Sequence, residues 1–259
     1  MKPVIFFDVD GTIVDTDIKR IPDSTLVAIN DLQSRGYLCC IATGRGYENL
    51  KTTIAFDAIE WDGYICSNGQ EVLDENGKYI YQEMFSNELA SKVVNLSKEL
   101  NHPAILITKN AWNLSLPADD NTINALTFLH EPIPEYAPYT GQEIMSFVVF
   151  ADIGYDYVLY KEIEGITVIP SYTSYADIIL SSASKAIGIK RYLESKNKKT
   201  YVAFGDSMND YEMLKHADHA IMMGQGDSRL KEVASYITKS VGEDGIKYAC
   251  DNLEILKLN

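Results

Sequence analysis

Val4-Ile5-Phe6-Phe7-Asp8-Val9-Asp10-Gly11-Thr12-Ile13 is the stretch on which the fold turns. An apolar run leads straight into two carboxylates, a glycine and a hydroxyl. A continuous apolar run of this kind predicts a strand buried on both faces. Its polar end then falls at the carboxyl edge of the strand, where open α/β sheets build their sites. Asp8 and Asp10 stand two apart, so on a strand or its immediate extension both side chains project the same way. Two such carboxylates repel each other and lose hydration unless a cation joins them. Oxygen-only ligands favour Mg²⁺ over zinc. Taken alone, the pentapeptide Asp-Val-Asp-Gly-Thr also fits an acidic turn that closes a strand. A bare Asp-x-Asp serves some glycosyltransferases as the holder of a metal-bound nucleotide.

Outward from this strand the same rhythm repeats. Pro22-Asp23-Ser24-Thr25 opens a helix that carries Leu26, Ile29 and Leu32 and ends at Gly36. Tyr37 to Ala42 reads as a second buried strand running into Thr43-Gly44-Arg45, and Asp62 to Ser67 as a third running into Ser67-Asn68-Gly69. Asn76-Gly77 between alternating segments signals a hairpin. From residue 84 the texture changes. Helices over Leu89–Leu100, Thr122–Leu129 and Tyr155–Ile163 alternate with strands over 104–108, 146–151, 166–170 and 176–180, none of them ending in a polar motif. The opening pattern then returns: a helix from Ser184-Lys185, a strand over Tyr201–Phe204 ending in Gly205-Asp206-Ser207-Met208-Asn209-Asp210, and strands over 220–223 and 236–238. The expected architecture is α/β, a Rossmann-like doubly wound parallel sheet built from residues 1–83 and 183–259 with an α/β unit, 84–182, inserted.

The totals narrow the function. A chain of 259 residues with 46% hydrophobic content has ample material for two cores. Its formal charge of −14 argues against nucleic acid. A small anion remains acceptable, because a local cation reverses the field inside a pocket. Cys39, Cys40, Cys66 and Cys250 form no Cys-x-x-Cys pair, and three lie in apolar runs, as reduced core residues of a cytoplasmic protein do. The first strand starts almost at once, leaving no room for a signal peptide, and no apolar run is long enough to span a membrane.

The polar strand ends assemble into one chemistry. If these strands are neighbours, Mg²⁺ would be held by the Asp8 carboxylate, the Asp10 carbonyl and Asp206. Thr43 and Gly44 offer a hydroxyl and a backbone N–H to a phosphoryl group, and Lys185 a point charge. Asp8 would then attack phosphorus, and Asp10 would protonate the leaving oxygen and then take a proton from water. Each element alone has a plainer reading: a strand-to-helix turn for Thr43-Gly44-Arg45, a solvated lysine for Lys185, helix caps for Asp206, Ser207 and Asp210. Their joint order along the chain is what the plainer readings do not supply.

On these motifs the chain resembles the haloacid dehalogenase (HAD) superfamily phosphatases, specifically the Cof-type branch with a large α/β cap. The resemblance spans the whole chain. It implies Asp8 as nucleophile and Asp10 as general acid/base. It further implies phosphoryl binding by Gly11, Thr43, Gly44, Lys185 and Asn209, metal binding by Asp8, Asp10 and Asp206, and support from Arg45 and Asp210. An aspartate at position 10 fits phosphatases and phosphomutases; ion pumps carry threonine there and dehalogenases lack the second aspartate. The chain departs from the branch at Ala186, where glycine is usual, and at Met223-Gly224-Gln225-Gly226, where Met-Gly-Asn-Ala is commoner. The reading is a Mg²⁺-dependent phosphomonoesterase, monomer or homodimer, whose cap closes over small phosphorylated metabolites. Hexose and pentose phosphates come first on resemblance, pyridoxal phosphate or flavin mononucleotide next. A phosphomutase and a non-catalytic sugar-phosphate sensor are the rivals. His102, His130, His216 and His219 are expected in helix ends or loops. Tyr155, Tyr157, Tyr160, Tyr172 and Tyr175 are expected to pack the inserted unit rather than stack on a ring.

Overall fold

The computed structural model describes residues 2–129, 131–171 and 173–254, so His130 and Tyr172 lie outside the described residues. The first stretch holds β1 (Val4–Phe7), α1 (Asp23–Ser34), β2 (Leu38–Ala42), the single turns α2 (Tyr47–Leu50) and α3 (Ile54–Asp57), β3 (Gly63–Cys66) and the hairpin β4 (Glu71–Asp74) and β5 (Tyr79–Gln82). There follow α4 (Asn87–Glu99), β6 (Ala104–Ile107), β7 (Trp112–Leu114), α5 (Asp120–Phe128), β8 (Ser146–Phe150), α6 (Val158–Lys161), β9 (Ile166–Pro170) and β10 (Tyr175–Leu180). The last stretch holds α7 (Lys185–Ser195), β11 (Tyr201–Gly205), α8 (Tyr211–Lys215), β12 (His219–Met222), β13 (Tyr236–Ile237) and α9 (Gly245–Asn252). The chain divides into two compact units, Met1–Gln82 with Ser184–Asn259, and Glu83–Ala183.

In the first unit the strands order β13-β12-β11-β1-β2-β3-β4-β5. All pairings from β13 to β3 are parallel, and the β3–β4 and β4–β5 pairings are antiparallel, so β4 alone runs against the rest. β1 explains itself by alternation. Ile5 and Phe7 face a core shared with Ala28, Ile29 and Leu32 of α1 and Ile246 and Ala249 of α9. Val4 and Phe6 face the opposite core, with Ile189 and Tyr192 of α7 and Met213 and Leu214 of α8. All four β1 side chains are fully buried, each worth about 1.5–3 kcal/mol relative to exposure. Phe7 stacks on Phe204 at 4.9 Å, fixing β1 beside β11.

The second unit is a sheet of order β7-β6-β8-β10-β9, antiparallel at every pairing. One face packs α4 and α6 through Val93, Val94, Leu106, Phe147 and Tyr160; the other packs α5 through Ile105, Ala125, Leu126 and Phe150. The helix expected over Tyr155–Ile163 shrinks to Val158–Lys161. Tyr157, 3% exposed, takes a left-handed backbone (φ 55°) to reach the ring cluster with Tyr155 and Tyr160. His219 opens β12 rather than lying in a loop. No described helix is long and apolar enough to cross a membrane.

Candidate active site

Because β11, β1, β2 and β3 are consecutive and parallel, their carboxyl ends lie side by side. That single fact brings Asp206, Asp8, Thr43 and Ser67 to one sheet edge from four distant places in the sequence. Asp8 continues β1 and donates its N–H to the Phe204 carbonyl at 3.0 Å. Thr43 does the same from β2 to the Ile65 carbonyl at 2.8 Å. Beyond Asp8 the chain folds on itself, with the N–H groups of Ile13 and Val14 donating to the Val9 carbonyl at 3.0 and 2.8 Å. Gly11 sits in this turn at φ 89°, and a Cβ there would lie 2.3 Å from Asp206 Oδ2, so only glycine lets the turn approach that carboxylate.

Lys185, at the first turn of α7, is fully buried and donates to Asp8 Oδ1 and to Asp210 Oδ1, both at 2.6 Å. The other Asp210 oxygen, Oδ2, accepts from the N–H groups of Asp206 and Ser207 at 2.9 and 3.0 Å. Asp210 therefore closes the loop after β11 and fixes Lys185 at once. Asp206 accepts weakly from Thr12 Oγ1 at 3.4 Å. The Asp8, Asp206 and Asp210 carboxylates each place an oxygen within 4.8 Å of the others.

One ammonium cannot neutralise this group. Burial, reinforced by the charges of Asp210 and Asp10, pushes the Asp8 carboxyl up to about 7 against the pull of Lys185. Burial and the charges of Asp8 and Asp210 hold Asp206 well above the usual carboxylate range. Burial alone would lower Lys185, but Asp210 and Asp8 outweigh it and raise it. Buried oxygen ligands with excess negative charge and no sulfur or imidazole fit a hard divalent cation such as Mg²⁺.

Asp10 behaves differently from Asp8. Its carboxylate is gripped by Arg45, with Nε to Oδ2 at 2.7 Å and Nη2 to Oδ1 at 2.9 Å. Arg45 also reaches Asn49 Oδ1 at 3.2 Å, so the residue expected only to support the site orients the second aspartate directly. Thr43 Oγ1 accepts from the Arg45 N–H at 3.1 Å, leaving its own O–H to donate elsewhere. Asn209 meets Asn68: its Nδ2 donates to Asn68 Oδ1 at 3.1 Å.

Two residues of the site escaped the sequence reading. Asn68 was visible only as part of a polar strand end. Glu71 follows it on β4, 2% exposed, with no motif to mark it. The departure at Gln225 also finds its place. Its Nε2 donates to the Gly11 carbonyl while its Oε1 accepts from the Val241 N–H at 3.1 Å, tying the 223–226 loop to the turn after β1. Gly226 lets that loop meet Asp206, whose carbonyl accepts from the Asp227 N–H at 2.7 Å.

Comparison with known proteins gives one answer. The haloacid dehalogenase-like hydrolase family matches residues 5–249. YkrA of Bacillus subtilis (strain 168), provisionally named a phosphatase, is 31% identical over 98% of both chains. The solved structure of the HAD subclass IIB sugar phosphatase BT4131 superposes with a TM-score of 0.85 at 26% identity, covering 98% of this chain and 100% of that one. BT1666 from Bacteroides thetaiotaomicron superposes at 0.89 with 23% identity over 98% and 96% of the two chains, a likeness of fold.

Proposed function

Since the chain belongs to the haloacid dehalogenase-like hydrolases, in their Cof-type phosphatase branch, we propose that it hydrolyses small phosphomonoesters, sugar phosphates first, with Mg²⁺. The observation that carries this reading is the buried Asp8–Lys185–Asp210 group facing Asp206, an anionic site with the Asp8 carboxylate at its centre. Asp8 Oδ2 attacks phosphorus, the bond to the leaving oxygen breaks, and an aspartyl phosphate forms. Asp10, protonated at that point, gives its proton to the leaving oxygen and later takes one from the water that attacks the intermediate, as the bond from Asp8 to phosphorus breaks, inorganic phosphate leaves and the Asp8 carboxylate is restored. Both Asp10 oxygens rest on Arg45, so proton transfer needs at least one of those hydrogen bonds to open. Thr43 Oγ1, the Gly44 N–H and Lys185 receive the phosphoryl oxygens. Asp8, Asp206 and the Asp10 carbonyl would hold Mg²⁺, with Asp210 adjoining, and the ion supplies charge neutralisation to nucleophile and phosphoryl group. The unit Glu83–Ala183 selects the substrate in this reading, and the enzyme works in the cytoplasm.

BT4131 bears the name of a sugar phosphatase at 26% identity, which supports sugar phosphates as the first class to try. The test is phosphate release from a panel of sugar phosphates, nucleotides, pyridoxal phosphate and p-nitrophenyl phosphate, with Mg²⁺, with EDTA, and with Asp8→Asn. Metal-dependent release that vanishes in Asp8→Asn is expected. Release by well-purified Asp8→Asn at the wild-type rate would sink the nucleophile assignment.

A further inference from the structure

Ser67-Asn68-Gly69 holds three successive residues in left-handed backbone, with φ of 49°, 51° and 94°. Glycine adopts this freely and asparagine tolerates it, but serine resists it. Such a run persists only where its surroundings over-determine it, and it gathers where function needs it. Here the surroundings are explicit. The Ser67 and Asn68 N–H groups donate to the carbonyls of Arg45 and Thr43 at 2.8 and 3.0 Å. Ser67 Oγ donates to Glu71 Oε2 at 2.8 Å. The same buried carboxylate accepts from the Tyr47 N–H and the Tyr79 O–H, both at 3.0 Å. A Cβ on Gly69 would lie 2.0 Å from the carbonyl oxygen of Ser184, the residue that caps α7. The turn is thus clamped between the Thr43-Gly44-Arg45 loop and the helix that carries Lys185.

What the clamp aims is a carboxamide. Ser207 Oγ donates to Asn209 Oδ1 at 2.6 Å, and Asn209 Nδ2 donates to Asn68 Oδ1 at 3.1 Å. Both carboxamide oxygens are taken, so the free end of this chain is Asn68 Nδ2, which has no acceptor among the described residues although Asn68 is only 4% exposed. Nδ2 overlies Gly44: a Cβ built there would be 3.3 Å from it. The donor itself is not among the sealed, unpartnered atoms, so it stays open to the solvent side, from which an acceptor can reach it.

The geometry points to Asn68 as a ligand of the phosphoryl group. Its Nδ2 donates to a non-bridging phosphoryl oxygen beside Thr43 and Gly44, with Asn209 and Glu71 acting as positioning residues behind it. The assignment rests on the phosphatase reading of the same site. Two variants test it. Asn68→Gly removes the carboxamide while suiting the left-handed backbone. Asn68→Asp keeps the acceptor for Asn209 but replaces the donor with a carboxylate. Turnover of p-nitrophenyl phosphate with Mg²⁺ is read together with orthovanadate binding by calorimetry, which needs no turnover. Asn68→Gly is expected to lose about 100-fold in kcat/KM and about tenfold or more in vanadate affinity with its melting temperature held, and Asn68→Asp to be worse on both. Folded variants that keep turnover and vanadate affinity within a factor of about three overturn the assignment and leave the turn structural. If wild type binds vanadate but releases no phosphate, and Asn68→Gly loses the vanadate, the phosphatase reading falls while the Asn68 assignment stands. A wild type that binds no vanadate removes both.

Discussion

The two units bury polar groups of different kinds. In the sheet built from both ends of the chain, the buried polar residues include Asp8, Glu71, Lys185, Asp210, Asn68 and Gln70. In the inserted unit, the described buried polar residues are Ser97, Ser115, Thr122, Ser146 and Ser174, hydroxyls throughout. A hydroxyl hidden in a core satisfies itself on a nearby backbone group, as Ser97 Oγ does on the His102 carbonyl at 2.6 Å. A buried charge has no such cheap solution and persists where a partner charge, an ion or a substrate repays its lost hydration. The sheets explain where each kind is possible. Parallel strands deliver their carboxyl ends to one edge, whereas an antiparallel sheet sends alternate strand ends to opposite edges, so fewer of them meet.

Lys185→Met should show the largest effect. It strips the counter-charge from two buried carboxylates, and a loss of about 3–5 kcal/mol is expected in urea melts with EDTA present. Turnover should fall about 100- to 1,000-fold. Adding Asp210→Asn should return part of the stability and none of the turnover. A Lys185→Met protein as stable as wild type would erase the contrast between the units.

Metal removal comes next. Mg²⁺ at about 100 times its dissociation constant should stabilise the protein by about 2.7 kcal/mol over EDTA, and Asp206→Asn should abolish that increment. Thermal melts at fixed pH decide it. On the other side, Ser115→Ala removes the acceptor of the Ala104 N–H, a bond of 3.1 Å. It should cost about 1–3 kcal/mol with kcat/KM unchanged within experimental error. A change in Mg²⁺ dependence in that variant would show that the units are not chemically separate.

The smallest effect concerns pH. His102 lies against Tyr155 and shares a 3.3 Å hydrogen bond with the Tyr160 hydroxyl. Burial holds its imidazole below the usual value of 6.5, against the opposing charges of Asp119 and Asp152. A depressed value means that the folded state prefers the neutral ring. The contribution is therefore fully present above pH 6.5 and is lost as pH falls through the lowered value. A Trp61→Phe background leaves Trp112 as the sole indole, so its fluorescence reports melting of the inserted unit. His102→Gln in that background should flatten the acid limb by a few degrees. An unchanged limb would mean that some other group titrates there.

How far the sequence could be read follows the same division. The strand ends of the parallel sheet were legible because buried parallel strands are unbroken apolar runs and their sites come at one end. Asp8, Thr43, Asp206 and Asp210 could be gathered on that ground, with Lys185 added from a helix start. Their roles remain proposals, but their proximity was foreseeable. Elements decided by packing were harder to see. β7 has only Trp112-Asn113-Leu114, too short for alternation, and α6 lost half its expected length to the Tyr157 ring cluster. The helix α9 carried a signal that went unused: Ile246, Ala249 and Cys250 at helical spacing, all buried. Arg45 on Asp10 and Glu71 under Ser67 were beyond reach, because a bidentate grip and a buried clamp depend on which loops become neighbours.

The split origin of the larger sheet has a consequence for synthesis. β1 is at its centre, between β2 and β11, and Val4 pairs with Tyr201. A ribosome adding about 5–20 residues per second makes β2 within seconds of β1 but takes on the order of 10–40 s to reach β11. Throughout that interval Val4-Ile5-Phe6-Phe7 offers an open, apolar strand edge in a crowded cell, the kind of surface on which nascent chains aggregate. The inserted unit, contiguous from Glu83 to Ala183, is complete before that edge finds its partner. β1, made before every other strand of this sheet, is thus among the last to be sealed, and a holding chaperone would have its natural target there.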